Sequence, residues 1–93
     1  MKVKLSKSPL KAKKYRVTFE DNTHVDFGAA GMSDFTRHKD PKRKDAYIAR
    51  HTTNENWSDP STAGFWSRWL LWEKPTIADS KKFITSNFGI EFK

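Results

Sequence analysis

The sequence predicts an α+β domain: an N-terminal antiparallel β-hairpin or small sheet packed on two or three helices, with a Trp-rich helix at its centre. Three observations predict it. Residues 14–28 alternate apolar and polar side chains around a polar turn, the pattern of two half-buried strands. Asp40-Pro41 carries helix-start chemistry, because Asp caps the free amides of a first turn and Pro loses nothing at the first helical position. "AGFWSRWLLW", residues 63–72, is almost entirely apolar and precedes Pro75, as expected of a buried helix with a proline stop.

Taken in chain order, "KVKLS" near the N-terminus reads as a further strand at the sheet edge, ended by Ser8-Pro9, its lysines suited to an exposed edge. In "KKYRVTFE", Tyr15, Val17 and Phe19 alternate against Lys14, Arg16 and Thr18; "EDN" turns the chain; "THVDFG" returns it with Thr23, Val25 and Phe27 on one side. "GAAGMSD" interrupts with two glycines. A helix from about Pro41 to His51 or beyond follows. The second helix starts at "SDPST" and runs toward Pro75, with Phe65, Trp69 and Trp72 on one face at i, i+4, i+7, Trp66 and Leu70 alongside, and only Ser67 and Arg68 as a polar side. A third begins after Thr76, carries Ile77, Ile84 and Phe88, and ends at Gly89 as a C-terminal cap. "IEF" closes as a last strand. Residues 1–12 are expected to form a basic N-terminal segment and 13–93 a single globular domain.

At 93 residues such a chain buries only roughly 60–65% of its unfolded surface. It has no cysteine and 13 aromatic residues, so an aromatic core must hold it without disulfides. No apolar run approaches the roughly 20 residues of a membrane span, and no apolar leader segment is visible at the N-terminus. The expected setting is therefore intracellular, with no membrane partner.

Charge points to function. The net charge is +7, and residues 1–16 hold seven Lys or Arg and no acid, while the rest of the chain balances. The stretch "DFTRHKDPKRKDAYIARH", residues 34–51, adds six further cations beside three Asp. Clustered cations attract polyanions regardless of sequence, and a helix start adds backbone amides that favour anions. The candidate nucleic-acid-binding residues are Lys11, Lys13, Lys14, Arg16, Arg37, Lys39, Lys42, Arg43, Lys44 and Arg50.

Other chemistry competes for the same stretch. Tyr47, His51 and Glu55 fall on one helix face with Arg50 beside them, a set that could serve a metal-dependent nuclease: His as base, Arg against phosphate charge, Glu on a metal. No H-x-x-x-H, cysteine pair, P-loop or nucleophile elbow accompanies it. The bland alternative is a polar network in which Asp34, His38, Arg50, His51 and Glu55 pin the loop and helix to the aromatic core. The tryptophans could stack single-stranded bases, but their helical spacing favours core packing.

The motifs "FGAAGMSDFTRHKD", "YIARH", "ENW" and "TAGFWSRWLLWEKP" together resemble a family of small uncharacterised proteins of large nucleocytoplasmic DNA viruses, including marseilleviruses, over roughly residues 8 to 92. The resemblance implies a viral origin and a place in the virion or the host cytoplasm and virus factory; it brings no catalytic activity and no residue roles. The favoured expectation is a non-enzymatic basic protein that binds nucleic acid, DNA first, through phosphate contacts, with no cofactor and no metal. A homodimer that buries some of the aromatic surface is a further expectation. A virion or virus-factory interaction domain is the alternative, and a nuclease ranks third.

Overall fold

A computed structural model describes residues 1–93, and it is an α+β domain. The elements in chain order are β1 (Lys2–Lys7), β2 (Lys13–Phe19), β3 (His24–Ala29), α1 (Phe35–His38), α2 (Pro41–His51), α3 (Ala63–Trp66) with a π-helical continuation (Ser67–Leu71), α4 (Ile77–Phe88) and β4 (Glu91–Phe92). The strands form one sheet in the order β3-β2-β1-β4.

The hairpin forms where the alternation predicts it. β2 and β3 pair antiparallel with Val17 opposite Val25 and Tyr15 opposite Phe27. The turn between them works through Asp21, whose carboxylate accepts from the amide and hydroxyl of Thr23, and through Asn22 at φ 69°, a left-handed position that Asn tolerates. β1 pairs antiparallel with β2 along its whole length, Val3 opposite Phe19 through Lys7 opposite Tyr15.

Two expectations are corrected here. β1 is not the sheet edge: β4 returns after α4 and pairs parallel with Lys2 and Val3, so the edges are β3 and β4. Val3 is fully buried, and the first residues of the chain are thus part of the sheet rather than a tail appended to it. The apolar face of the Trp-rich segment is also shifted. Helical spacing predicts a stripe of Phe65, Trp69 and Trp72, yet the fully or almost fully buried residues are Phe65, Trp66, Leu70 and Leu71, with Trp69 and Trp72 only half-buried. The cause is the π-helical turn over Ser67–Leu71. A π turn closes at i, i+5 instead of i, i+4, which stacks Phe65 over Leu70 and Trp66 over Leu71 on the same side. Arg68 follows the same shift. It is buried instead of forming a polar side, donates to Glu73 at 2.8 Å and lies over the rings of Trp69 and Trp57.

The core is therefore one sheet face, with Val3, Val17 and Phe27 at its centre, closed by Phe65, Trp66, Leu70 and Leu71 and by Ile84 and Ile90. Trp66 contacts Phe19, Phe27 and Phe92 across the sheet, and its indole N–H donates to the Pro60 carbonyl at 2.7 Å. α2 and α4 begin as the sequence predicts: Asp40 caps Lys42 N and Thr76 caps Asp79 N, while Gly89 at φ 67° ends α4. α1 is an additional single turn, capped by Asp34 and stopped by Lys39 in the left-handed region. The other sheet face carries Lys4, Ser6, Arg16, Thr18 and Asp26 and has no helix packed on it.

Candidate functional site

The cations are best followed from the loop that joins β1 to β2. Ser8 is buried at the end of β1; its hydroxyl donates to Asp26 at 2.8 Å and accepts from Leu10 N. That pair folds the loop back so that Lys11 and Lys13 stand on its outer side, both exposed. The segment after β3 runs alongside, tied by Ala30 N to the Ala12 carbonyl at 3.0 Å and turned at Gly31, φ 84°. α1 then brings Arg37 to the opposite wall. The result is an open groove of about 690 Å³ lined by Lys7, Lys11, Lys13, Lys14 and Arg37. One acid faces it, Asp34, and Lys14 neutralises that acid with an ion pair of 2.5 Å in which both side chains are largely buried.

The ten cations singled out by the sequence divide by what they touch. Lys14 is held by Asp34, and Arg16 forms a two-pronged pair with Asp26 at 3.0 and 3.1 Å. That guanidinium, together with the Ser8 hydroxyl, holds the Asp26 carboxyl below the usual carboxylate range. Lys39 donates to the carbonyls of Pro75 and Thr36, and Lys44 donates to the Glu73 carbonyl at 2.8 Å while lying over the Phe35 ring. The other six, Lys11, Lys13, Arg37, Lys42, Arg43 and Arg50, are exposed and have no protein partner. Lys11, Lys13 and Arg37 meet in the groove; Arg43 and Arg50 border a recess with Met32 and Trp72 on the other side of the 30–33 turn. Lys42 stands apart at the first turn of α2. Lys7 joins the groove although it is not among the ten. The alternation of β1 gives no signal for it, since Lys7 is in phase with Val3 and Leu5 and lies opposite Tyr15; it is exposed because it stands at the strand end.

Tyr47, His51 and Glu55 do come together, although only the first two share the face of α2; the helix ends at His51, and Glu55 follows the 52–54 turn. Tyr47 stacks flat on Trp72 at 4.3 Å and lies 4.5 Å from the His51 ring. His51 Nδ1 is 3.5 Å from Glu55 Oε1, and Glu55 Oε2 accepts from the Trp57 indole at 2.9 Å. Burial pushes the Tyr47 hydroxyl well above its ordinary range, and the Glu55 charge adds to the shift. Together they border a cleft of about 330 Å³. Gly64 forms part of its wall, where a Cβ would sit 3.1 Å from the Glu55 carboxylate carbon. The single polar network expected for this region is instead three separate ones. Asp34 serves Lys14 and Thr36, His38 accepts from Asp40 N, and His51 meets Glu55, with Arg50 in none of them. Nowhere do three or more His, Cys, Asp or Glu side chains gather as a metal site.

Comparison with known proteins places the chain. No curated protein and no solved structure matches it. A family model does match residues 3–51, just over half of the chain, a span that runs from β1 through α2. It contains every cation of the groove and stops before the Trp-rich segment. The chain accordingly belongs to a family of unknown function, DUF5754.

Proposed function

We propose that this protein binds nucleic acid through sequence-independent phosphate contacts, with the groove of Lys7, Lys11, Lys13 and Arg37 as the principal site and Arg43 and Arg50 as its continuation past the 30–33 turn. One observation carries the proposal: five cations line the groove against a single acid, and that acid is already neutralised by Lys14. The surplus positive charge has no internal partner, and a polyphosphate backbone is the polyanion whose repeated charge suits an open groove. Support for a viral setting, in the virion or the virus factory, comes from the motif resemblance alone. DNA is the first partner to test on the same ground. No helix of the chain is long and apolar enough to cross a membrane.

Binding to duplex and single-stranded DNA and RNA should fall steeply with salt. Removing a cation that touches phosphate should flatten the slope of log affinity against log salt by about 0.9 on duplex DNA, so replacing Lys7, Lys11, Lys13 and Arg37 by Gln should take away up to about 3–4 units. These side chains are exposed, and the variant should fold. Unchanged affinity and slope would exclude the groove. Absence of salt-sensitive binding in the wild type would leave the domain to protein partners, and metal-dependent cleavage would make it a nuclease.

A further inference from the structure

The Tyr47–His51–Glu55 set is not used by the phosphate-binding proposal, yet its cleft shares Lys13, Lys14 and Asp34 with the basic groove and opens beside it. Its walls are unlike the groove's. Trp72, Tyr47 and His51 form a column of rings, Trp72 to Tyr47 at 4.3 Å and Tyr47 to His51 at 4.5 Å. The column ends at His51, whose side chain is 40% exposed. Next to that end stands the Glu55 carboxylate, oriented by the Trp57 indole N–H and left room by Gly64, where any side chain would crowd it. Lys13 and Arg50 border the same cleft.

An aromatic end face, an oriented acceptor beside it and cations at the margin match the three parts of a nucleotide. A base supplies a π face that stacks on aromatic or imidazole rings and edge N–H groups that donate to a carboxylate, and its flanking phosphates take the cations. A carboxylate has acceptor capacity beyond the Trp57 bond. The cleft is also concave, and a paired base inside a duplex stack could not enter it without being flipped out. Building on the phosphate-binding proposal, we infer that this cleft receives one unpaired nucleobase, stacked against the His51–Tyr47–Trp72 column with its amino edge toward Glu55, while the adjoining strand lies on the basic groove. Cytosine, adenine and guanine carry exocyclic amino donors; thymine and uracil offer only N3–H, flanked by two carbonyl oxygens that repel a carboxylate, so the amino-bearing bases are preferred.

The test uses the full chain and fluorescently labelled strands in anisotropy titrations at fixed salt. The strands are a single-stranded oligodeoxycytidine of about 12 nucleotides, a typical site size, its abasic counterpart, an oligothymidine of the same length, and a duplex. The wild type should bind oligodeoxycytidine about tenfold or more tightly than the abasic strand, the scale of one stacked base, and more tightly than oligothymidine. His51→Ala should remove most of the advantage over the abasic strand, and E55Q most of the advantage over oligothymidine. Both should leave duplex binding and its salt slope unchanged. Equal wild-type affinity for oligodeoxycytidine and the abasic strand would overturn the inference while leaving phosphate binding in place. A base preference that survives both variants would also overturn it, by locating the base elsewhere. Failure of every strand to bind would overturn both proposals.

Discussion

Residues 1–16 and residues 34–51 each tie two cations to partners within the protein, but to partners of different kinds. In the first stretch Lys14 and Arg16 meet the carboxylates of Asp34 and Asp26. In the second, Lys39 and Lys44 donate mainly to the carbonyls of Pro75 and Glu73, and the nearby Glu73 carboxylate is nearer to Arg68, at 2.8 Å, than to Lys44, at 3.7 Å. A carboxylate cancels the charge it binds; a carbonyl satisfies the N–H groups and leaves most of the charge standing. Lys14 therefore locks the sheet to the loop before α1, and Arg16 ties β2 to β3, without adding to the surface field. The helical ones fasten the segment after the π turn and still contribute to it. Counting Lys and Arg along the chain cannot separate these cases.

The contrast breaks most visibly at Asp34. Asp34→Ala strands the Lys14 ammonium in a largely buried position and removes the α1 cap, and breaking a buried pair from one side costs about 3–5 kcal/mol. Urea unfolding should show that loss as a lower midpoint. A shift of less than about 1 kcal/mol would mean Lys14 swings out to water, a surface pair in effect, and the two stretches would then be alike.

Lys44→Met is the matching change on the helical side. It keeps the apolar stem on Phe35 and removes the donor to the Glu73 carbonyl, and because Lys44 retains some solvent exposure the expected cost is about 1–2 kcal/mol. A stability loss as large as that of Asp34→Ala would show that the carbonyl clamp matters as much as the ion pair. The double replacement of Lys42 and Arg43 by Gln should change stability by no more than about 0.5 kcal/mol for each site, as for exposed positions generally, while still weakening DNA binding if the α2 start touches phosphate.

The smallest effect is a pH dependence. Asp26 has a folded-state pKa below its ordinary 3.8, first because of its hydrogen bonds to Arg16 and then through Ser8. The stabilisation is present above the ordinary value and is lost as pH falls below 3.8 through the lower folded value, since protonation of Asp26 releases Arg16. Arg16→Gln should move the onset of that acid loss toward the ordinary value in thermal melts taken across the acid range. An unchanged acid limb would show that the Asp26 pair contributes nothing to folding.

Much of the fold was legible because it depends on local chemistry. The β2–β3 hairpin follows from period-two alternation, α2 from Asp40-Pro41, and α4 from the Thr76 cap and Gly89. The Tyr47–His51 pair follows from helical spacing, whereas Glu55 lies past the end of α2, after the 52–54 turn. Other features were not legible for an equally physical reason. The pairing of β4 with β1 joins residues at opposite ends of the chain, and no local pattern encodes a register between them. Nor does any residue in "FWSRWLL" announce a π turn; the helix adopts it where the core rewards placing Leu70 and Leu71 over Phe65 and Trp66.

The sequence by itself determined the α+β class, the strand pair, the start of α2, the limits of α4, and the concentration of basic residues before Val17 and around α2. Periodicity, capping and charge are properties of neighbouring residues, so they can be read along a chain. Tertiary structure alone decided that β1 lies inside the sheet, that Trp66 rather than Trp69 is the central tryptophan, and which cations remain free. Those outcomes depend on partners brought from far along the chain: Lys14 finds Asp34 and Arg16 finds Asp26, whereas Lys7, Lys11, Lys13 and Arg37 converge on one groove with no carboxylate left to neutralise them.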